Sequence, residues 1–196
     1  MASRRLKTGL RESIAEAFSN MDVSDSILLI VGDNVVFHDA ILYAVKDMLS
    51  RDKYGIYVSL NKPHDAVKYA LHKASIDTKR LFFVDCVSVL AHKTPTKHDS
   101  NVVYALGPHD LEDGASVPEG VKKFLNSIPG EKFILLDALR TLMIYNDSKV
   151  VVNFIRSLLS LTKSHDVKVV AITRHEDNDL LKRISKVFDE VATLYN

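Results

Sequence analysis

Apolar residues along the chain fall into two patterns, short unbroken runs and longer stretches with a spacing of three or four. Ser26-Ile27-Leu28-Leu29-Ile30-Val31 is an unbroken run that stops at Gly32, as a strand covered on both faces of a parallel sheet does. The same pattern predicts strands over 55–59, 81–85, 132–137 and 167–173, a weaker one over 102–105, and an edge strand over 191–195. Between them the spacing turns helical: Ile41, Ala44, Val45, Met48 and Leu49; Ala66, Val67, Ala70 and Leu71 behind Pro63; Val151, Phe154, Ile155, Leu158 and Leu159. Ser116 and Glu119 have capping-box spacing ahead of Val121, Phe124, Leu125 and Ile128, and Pro129-Gly130 closes that helix. Leu180, Leu181, Ile184, Val187 and Phe188 predict a last one. Leu6, Leu10, Ile14 and Phe18 recur every four residues among charged neighbours, which predicts an amphipathic helix within residues 1–22. Its apolar face packs either on its own domain or on a partner.

Strands that alternate with helices imply right-handed crossovers and a three-layer αβα fold around a mainly parallel sheet. At 196 residues the chain suits one domain spanning 1–196, since domains commonly run to roughly 100–200 residues. In such sheets ligands bind beyond the carboxyl ends of the strands. Those ends are therefore where chemistry is sought.

Composition narrows the reading without naming a partner. Twenty-six basic and 25 acidic side chains leave a formal charge of +1, interleaved along the chain, so no broad field favours nucleic acid or an anionic membrane. The single cysteine, Cys86, sits in an apolar run and reads as a small buried thiol. One cysteine cannot form an internal disulfide, which suits a reducing, cytoplasmic compartment. No apolar run reaches the ~18 residues of a membrane span, and Arg11, Glu12 and Glu16 break up the N-terminal stretch, so neither a membrane association nor a secretion signal is expected.

Read in order, the strand ends resemble the KaiC-like branch of the RecA-type ATPases common in archaea. The resemblance covers most of residues 26–175. It rests on the strand entering Gly32, the phrase Tyr57-Val58-Ser59-Leu60, the strand ending in Asp85, and Phe133-Ile134-Leu135-Leu136-Asp137-Ala138-Leu139. It implies a RecA-like P-loop core, with Asp137 in the place of the Walker B carboxylate that holds the water shell of Mg²⁺.

At the phosphate loop the chain departs from that pattern. The loop needs G-x-x-x-x-G-K-[ST], in which glycines let backbone N–H groups wrap the phosphates, Lys neutralises them and the hydroxyl meets Mg²⁺. The window here is Gly32-Asp33-Asn34-Val35-Val36-Phe37-His38-Asp39. Phe37 replaces the second Gly, His38 the Lys, and Asp39 the Ser or Thr. Phe37 adds bulk where backbone must approach phosphate, Asp33 and Asp39 would repel a triphosphate, and Asp39 near the first helical turn could itself meet the helix dipole. The resemblance also implies an acidic residue after the second strand to orient the attacking water, where this chain has Asn61 and Lys62. These departures lead to an expectation of a degenerate nucleotide site of Gly32, Asp33, Asn34, His38, Asp39 and Asp137, with no catalytic residue, no required cofactor and at most weak ATP or ADP binding.

Other constellations add little. The eight histidines are scattered and show neither C-x-x-C nor H-E-x-x-H spacing, so no metal site is expected. His38 and Asp39, with Asp85 and Asp137 at neighbouring strand ends, could form an acid–base site, but no nucleophile in a G-x-S-x-G elbow accompanies them. His92, Lys93, Lys97 and His98 form the one locally basic stretch, within an exposed loop over 92–100 that lacks aromatic residues for base stacking. The leading expectation is a non-catalytic RecA/KaiC-like regulatory or interaction module that forms a homo-oligomer or binds a protein partner, with the helix from Leu6 to Phe18 as its portable interface. The alternatives are a weak nucleotide sensor and a nucleic-acid-associated factor.

Overall fold

The computed structural model describes residues 4–6, 9–22, 24–33, 35–51, 53–89, 100–105, 116–176 and 179–195. In chain order the elements are β1 (Arg4–Leu6), α1 (Leu10–Ser19), β2 (Ser26–Val31), α2 (Phe37–Ser50), β3 (Tyr54–Ser59), α3 (His64–Lys73), β4 (Leu81–Asp85), β5 (Val102–Tyr104), α4 (Ser116–Ser127), β6 (Lys132–Leu136), α5 (Leu139–Tyr145), α6 (Ser148–Lys163), β7 (Val167–Arg174), α7 (Asp179–Ser185) and β8 (Glu190–Leu194). The strands form one eight-stranded sheet in the order β1-β8-β2-β7-β6-β3-β4-β5, and every pairing is parallel. The three-layer α/β architecture expected from the sequence is the one observed.

Two apolar cores sandwich the sheet because successive strand side chains point to opposite faces. Leu28, Ile30, Ile56, Val58, Ile134 and Leu136 face α4 to α7. Ile27, Leu29, Val31, Tyr57, Phe83, Phe133 and Leu135 face α1 to α3. The strand β2 is buried at all six positions, which explains its unbroken apolar run.

Several expectations need correction. Leu6 belongs to the short strand β1, and the helix begins only at Leu10. The face of α1 is already occupied: Ile14 and Phe18 are fully buried against their own domain, so this helix is not a free interface. The strand predicted at the sheet edge, β8, instead lies inside the sheet between β1 and β2. The last helix stops at Ser185, leaving Phe188 to enter the core from the turn before β8. No helix among the described residues is long and apolar enough to cross a membrane.

Candidate functional site

The segment from Gly32 to Asp39 joins the carboxyl end of β2 to α2, the position a phosphate loop occupies in the related fold. Two backbone hydrogen bonds tie down its start. The Gly32 N–H donates to the Leu194 carbonyl at 3.0 Å, and the Gly32 carbonyl accepts the Val35 N–H at 3.1 Å. These bonds engage amides that a phosphate cradle would turn toward its ligand. A side chain at Gly32 would press on the Leu194 carbonyl and the Tyr195 ring, each at 3.0 Å, so the loop packs tightly against the end of β8 here. Val35 is buried and Val36 exposed.

The helix α2 starts at Phe37, the residue in place of the second glycine. The Arg174 guanidinium, from the end of β7, lies 5.2 Å from the centre of the Phe37 ring, in cation–π range. Asp39 stands in the first turn of α2, where a carboxylate meets the positive end of the helix dipole. His38 and Asp33 are exposed, and Asn34 lies outside the described residues.

Asp137 follows β6 and is almost fully buried. It turns toward β3: Tyr57 Oη donates to one carboxylate oxygen at 3.0 Å and the Leu60 N–H to the other at 2.7 Å. Burial pushes its pKa up to about 6, against the opposing pull of the Leu60 and Tyr57 hydrogen bonds, the Lys62 charge and the nearby Ser59 hydroxyl. Tyr57 rises well above its ordinary value through burial and the charge of Asp137. The next residue, Ala138, adopts left-handed backbone with φ 47°, a conformation that costs a non-glycine residue about 1 kcal/mol or more.

Asp137 and Ala138 help line a cleft between α2 and α3 of about 80 Å³, partly open to solvent. Phe37, His38, Ile41 and Leu42 line it from α2; Val67, Ala70 and Leu71 from α3; Tyr57, Asn61 and Lys62 from β3 and the loop after it. His38 and Asp137 therefore share a cavity, as an acid–base pairing would require. Asp85 does not line that cleft.

Asp85 ends β4 with no exposed surface and accepts from the His64 N–H and the His64 ring at 2.9 Å, from the Val87 and Ser88 N–H groups at 2.9 Å, and from the Ser88 hydroxyl at 2.7 Å. Burial alone would raise its pKa, yet the donors from His64, Ser88 and Val87 together hold it below the ordinary value. The carboxylate thus binds the start of α3 to the loop after β4. This is a structural clasp, because each oxygen already accepts at least two hydrogen bonds. His64 also approaches Asp65 at 3.1 Å and meets the Tyr104 ring edge-on.

Sequence reasoning missed Tyr57 and His64. Tyr57 reads as one more apolar strand position, and its partner lies 80 residues away. His64 reads as one of eight scattered histidines, and its partner Asp85 lies 21 residues away. The basic stretch His92, Lys93, Lys97 and His98 lies outside the described residues.

Known proteins place the fold. No curated protein sequence matches the chain. The solved ATPase domain of a RecA-like helicase superposes with a TM-score of 0.60 at 14% identity, covering 94% of this chain and 75% of that one. It is one of 361 matching solved chains, so the likeness defines a widely used RecA-like α/β scaffold rather than one activity. A family model matches residues 38–196, from the second residue of α2 to the last residue of the chain, and on that match the protein belongs to the family of unknown function DUF7090.

Proposed function

We propose that this protein is a non-catalytic RecA-like module whose phosphate loop is not competent for ATP hydrolysis and whose role is regulatory, exercised through contacts with a protein partner or a second copy of itself. The closed Gly32–Val35 turn carries this reading. The Val35 amide is bonded to Gly32, and the Phe37 ring, held beneath Arg174, stands where a triphosphate needs a small residue. Asp137 supports the same reading, since both carboxylate oxygens are turned to Tyr57 and Leu60. After β3, Asn61 and Lys62 stand where an attacking water would need a carboxylate.

The reading is tested by isothermal calorimetry with Mg-ATP and with ADP, run beside light scattering on the same preparation. No heat of binding together with a defined oligomer is the expected result. Micromolar nucleotide binding with phosphate release would overturn it. Micromolar binding without turnover would support a nucleotide sensor instead.

A further inference from the structure

At the amino end of the sheet, opposite the Gly32–Asp39 loop, one buried cation has no carboxylate of its own. Lys168 is the second residue of β7. Its neighbours Val167 and Val169 belong to the core beneath α4 to α7, so its side chain turns to the other layer, with Val170. Lys168 is 8% exposed, and its ammonium donates to the Met21 carbonyl. Among the described residues that is its one hydrogen bond, and no ion pair accompanies it. An ammonium carries three N–H donors and a full charge, and a lysine so deeply covered is ordinarily paired.

Two more cations stand beside it. Lys53, 7% exposed and just ahead of β3, pairs with Glu131. Arg51, the residue that caps the end of α2, pairs with Asp47 at 2.8 Å. Burial lowers the Lys168 pKa, and the charges of Lys53 and Arg51 lower it further; Asp25 and Glu131 pull the other way and offset only part of this. The Asp25 carboxylate accepts from the Asp22 N–H, and Glu131 is engaged by Lys53, so neither closes on the Lys168 ammonium.

These donors define the chemistry of a ligand. A cation would add a fourth like charge, and an apolar group would cover the remaining N–H donors of Lys168 without matching them. A tetrahedral oxyanion has oxygens enough to accept from Lys168 and its cationic neighbours together, in charge-assisted hydrogen bonds.

We propose that the amino edge of the sheet at Arg51, Lys53 and Lys168 is a binding site for phosphate, either free or as the monoester of a small molecule. The site lies at the far end of the strands from the loop that would meet Mg-ATP, so the two readings stand or fall separately.

The test is an NMR titration of the full chain at pH 7 with inorganic phosphate, replacing chloride at constant ionic strength, and in a second arm with phenyl phosphate. Saturable shifts of the Met21, Lys53 and Lys168 amides are expected. Lys168→Met keeps the covered stem and removes the charge, and it should weaken phosphate by about tenfold. Lys186→Met, the same charge change at an exposed position after α7, should leave the affinity as it was. Tighter binding of phenyl phosphate assigns the site to a phosphate monoester, and equal or weaker binding to the free ion. No saturation on the order of 10 mM, an unchanged affinity in Lys168→Met, or an equal loss in Lys186→Met would each overturn the proposal. If Lys168→Met does not fold, Lys53→Met takes its place with the same expected loss.

Discussion

Asp85 ends β4 and Asp137 follows β6, on either side of β3 in the same sheet, yet their surroundings push them in opposite directions. Five hydrogen bonds from His64, Val87 and Ser88 hold Asp85 in its charged form. Its contribution to stability is present above the ordinary carboxylate pKa and is lost as pH falls below it. Asp137 has the reverse sign. Its folded pKa of about 6 lies above the unfolded value of about 3.9, so the native state binds more protons between those values. Its effect is to lower stability as pH rises from about 4 to about 6, by up to about 3 kcal/mol, with no further change above. Asp137→Asn removes that term. Urea melts of wild type and variant across this range should show the variant gaining relative stability as pH rises; parallel curves would refute the assignment. That a carboxylate ends each strand is legible in the sequence. Which one is saturated is not, because the donors come from α3, from the loop after β4 and from a strand 80 residues away.

At the scale of elements, the close approach of strands and helices leaves little slack around β3. A side chain at Gly55 would meet the Phe133 ring at 2.5 Å and press on Leu81 as well, because β3 lies between β6 and β4 with both neighbours in register. Gly55→Ala should therefore cost about 1–3 kcal/mol by overpacking, read as a shift in the denaturation midpoint at constant m-value. An unchanged midpoint would mean the neighbours relax freely. The unbroken apolar runs identify the long central strands, since burial on both faces leaves no room for polar alternation. The misread elements are those in which this signal is weak. Three residues of β1, Arg4-Arg5-Leu6, carry no period of their own, and their leucine falls in phase with the α1 stripe. The seven residues of α5 are too few to display one against the Walker-B-like strand before them. β8 read as an edge because nothing in the sequence announces a strand from the other end of the chain.

Over the whole molecule, the two cores depend on the sheet being complete. The last strand in chain order bonds β1 on one side and β2 on the other, and Leu194 also accepts the Gly32 N–H at the turn into α2. A chain ending at Asp189 would expose the edge of β2, leave β1 without its neighbour and open the apolar face that buries Ile14 and Phe18. We expect such a truncation to lose the cooperative thermal transition seen by circular dichroism; a sharp transition retained would show that the remaining strands suffice.

The position of β8 also bears on how the chain reaches this state. The strand that leaves the ribosome after the other seven is inserted between two that leave it first, so the sheet cannot be completed as the chain emerges. Until Glu190–Leu194 is free to pair, the edge of Ile27–Val31 waits with its hydrogen-bonding groups open. Contacts of such long sequence separation slow folding and prolong the exposure of unpaired edges. The interval before β8 emerges is therefore when the open edge of β2 is exposed to wrong pairing.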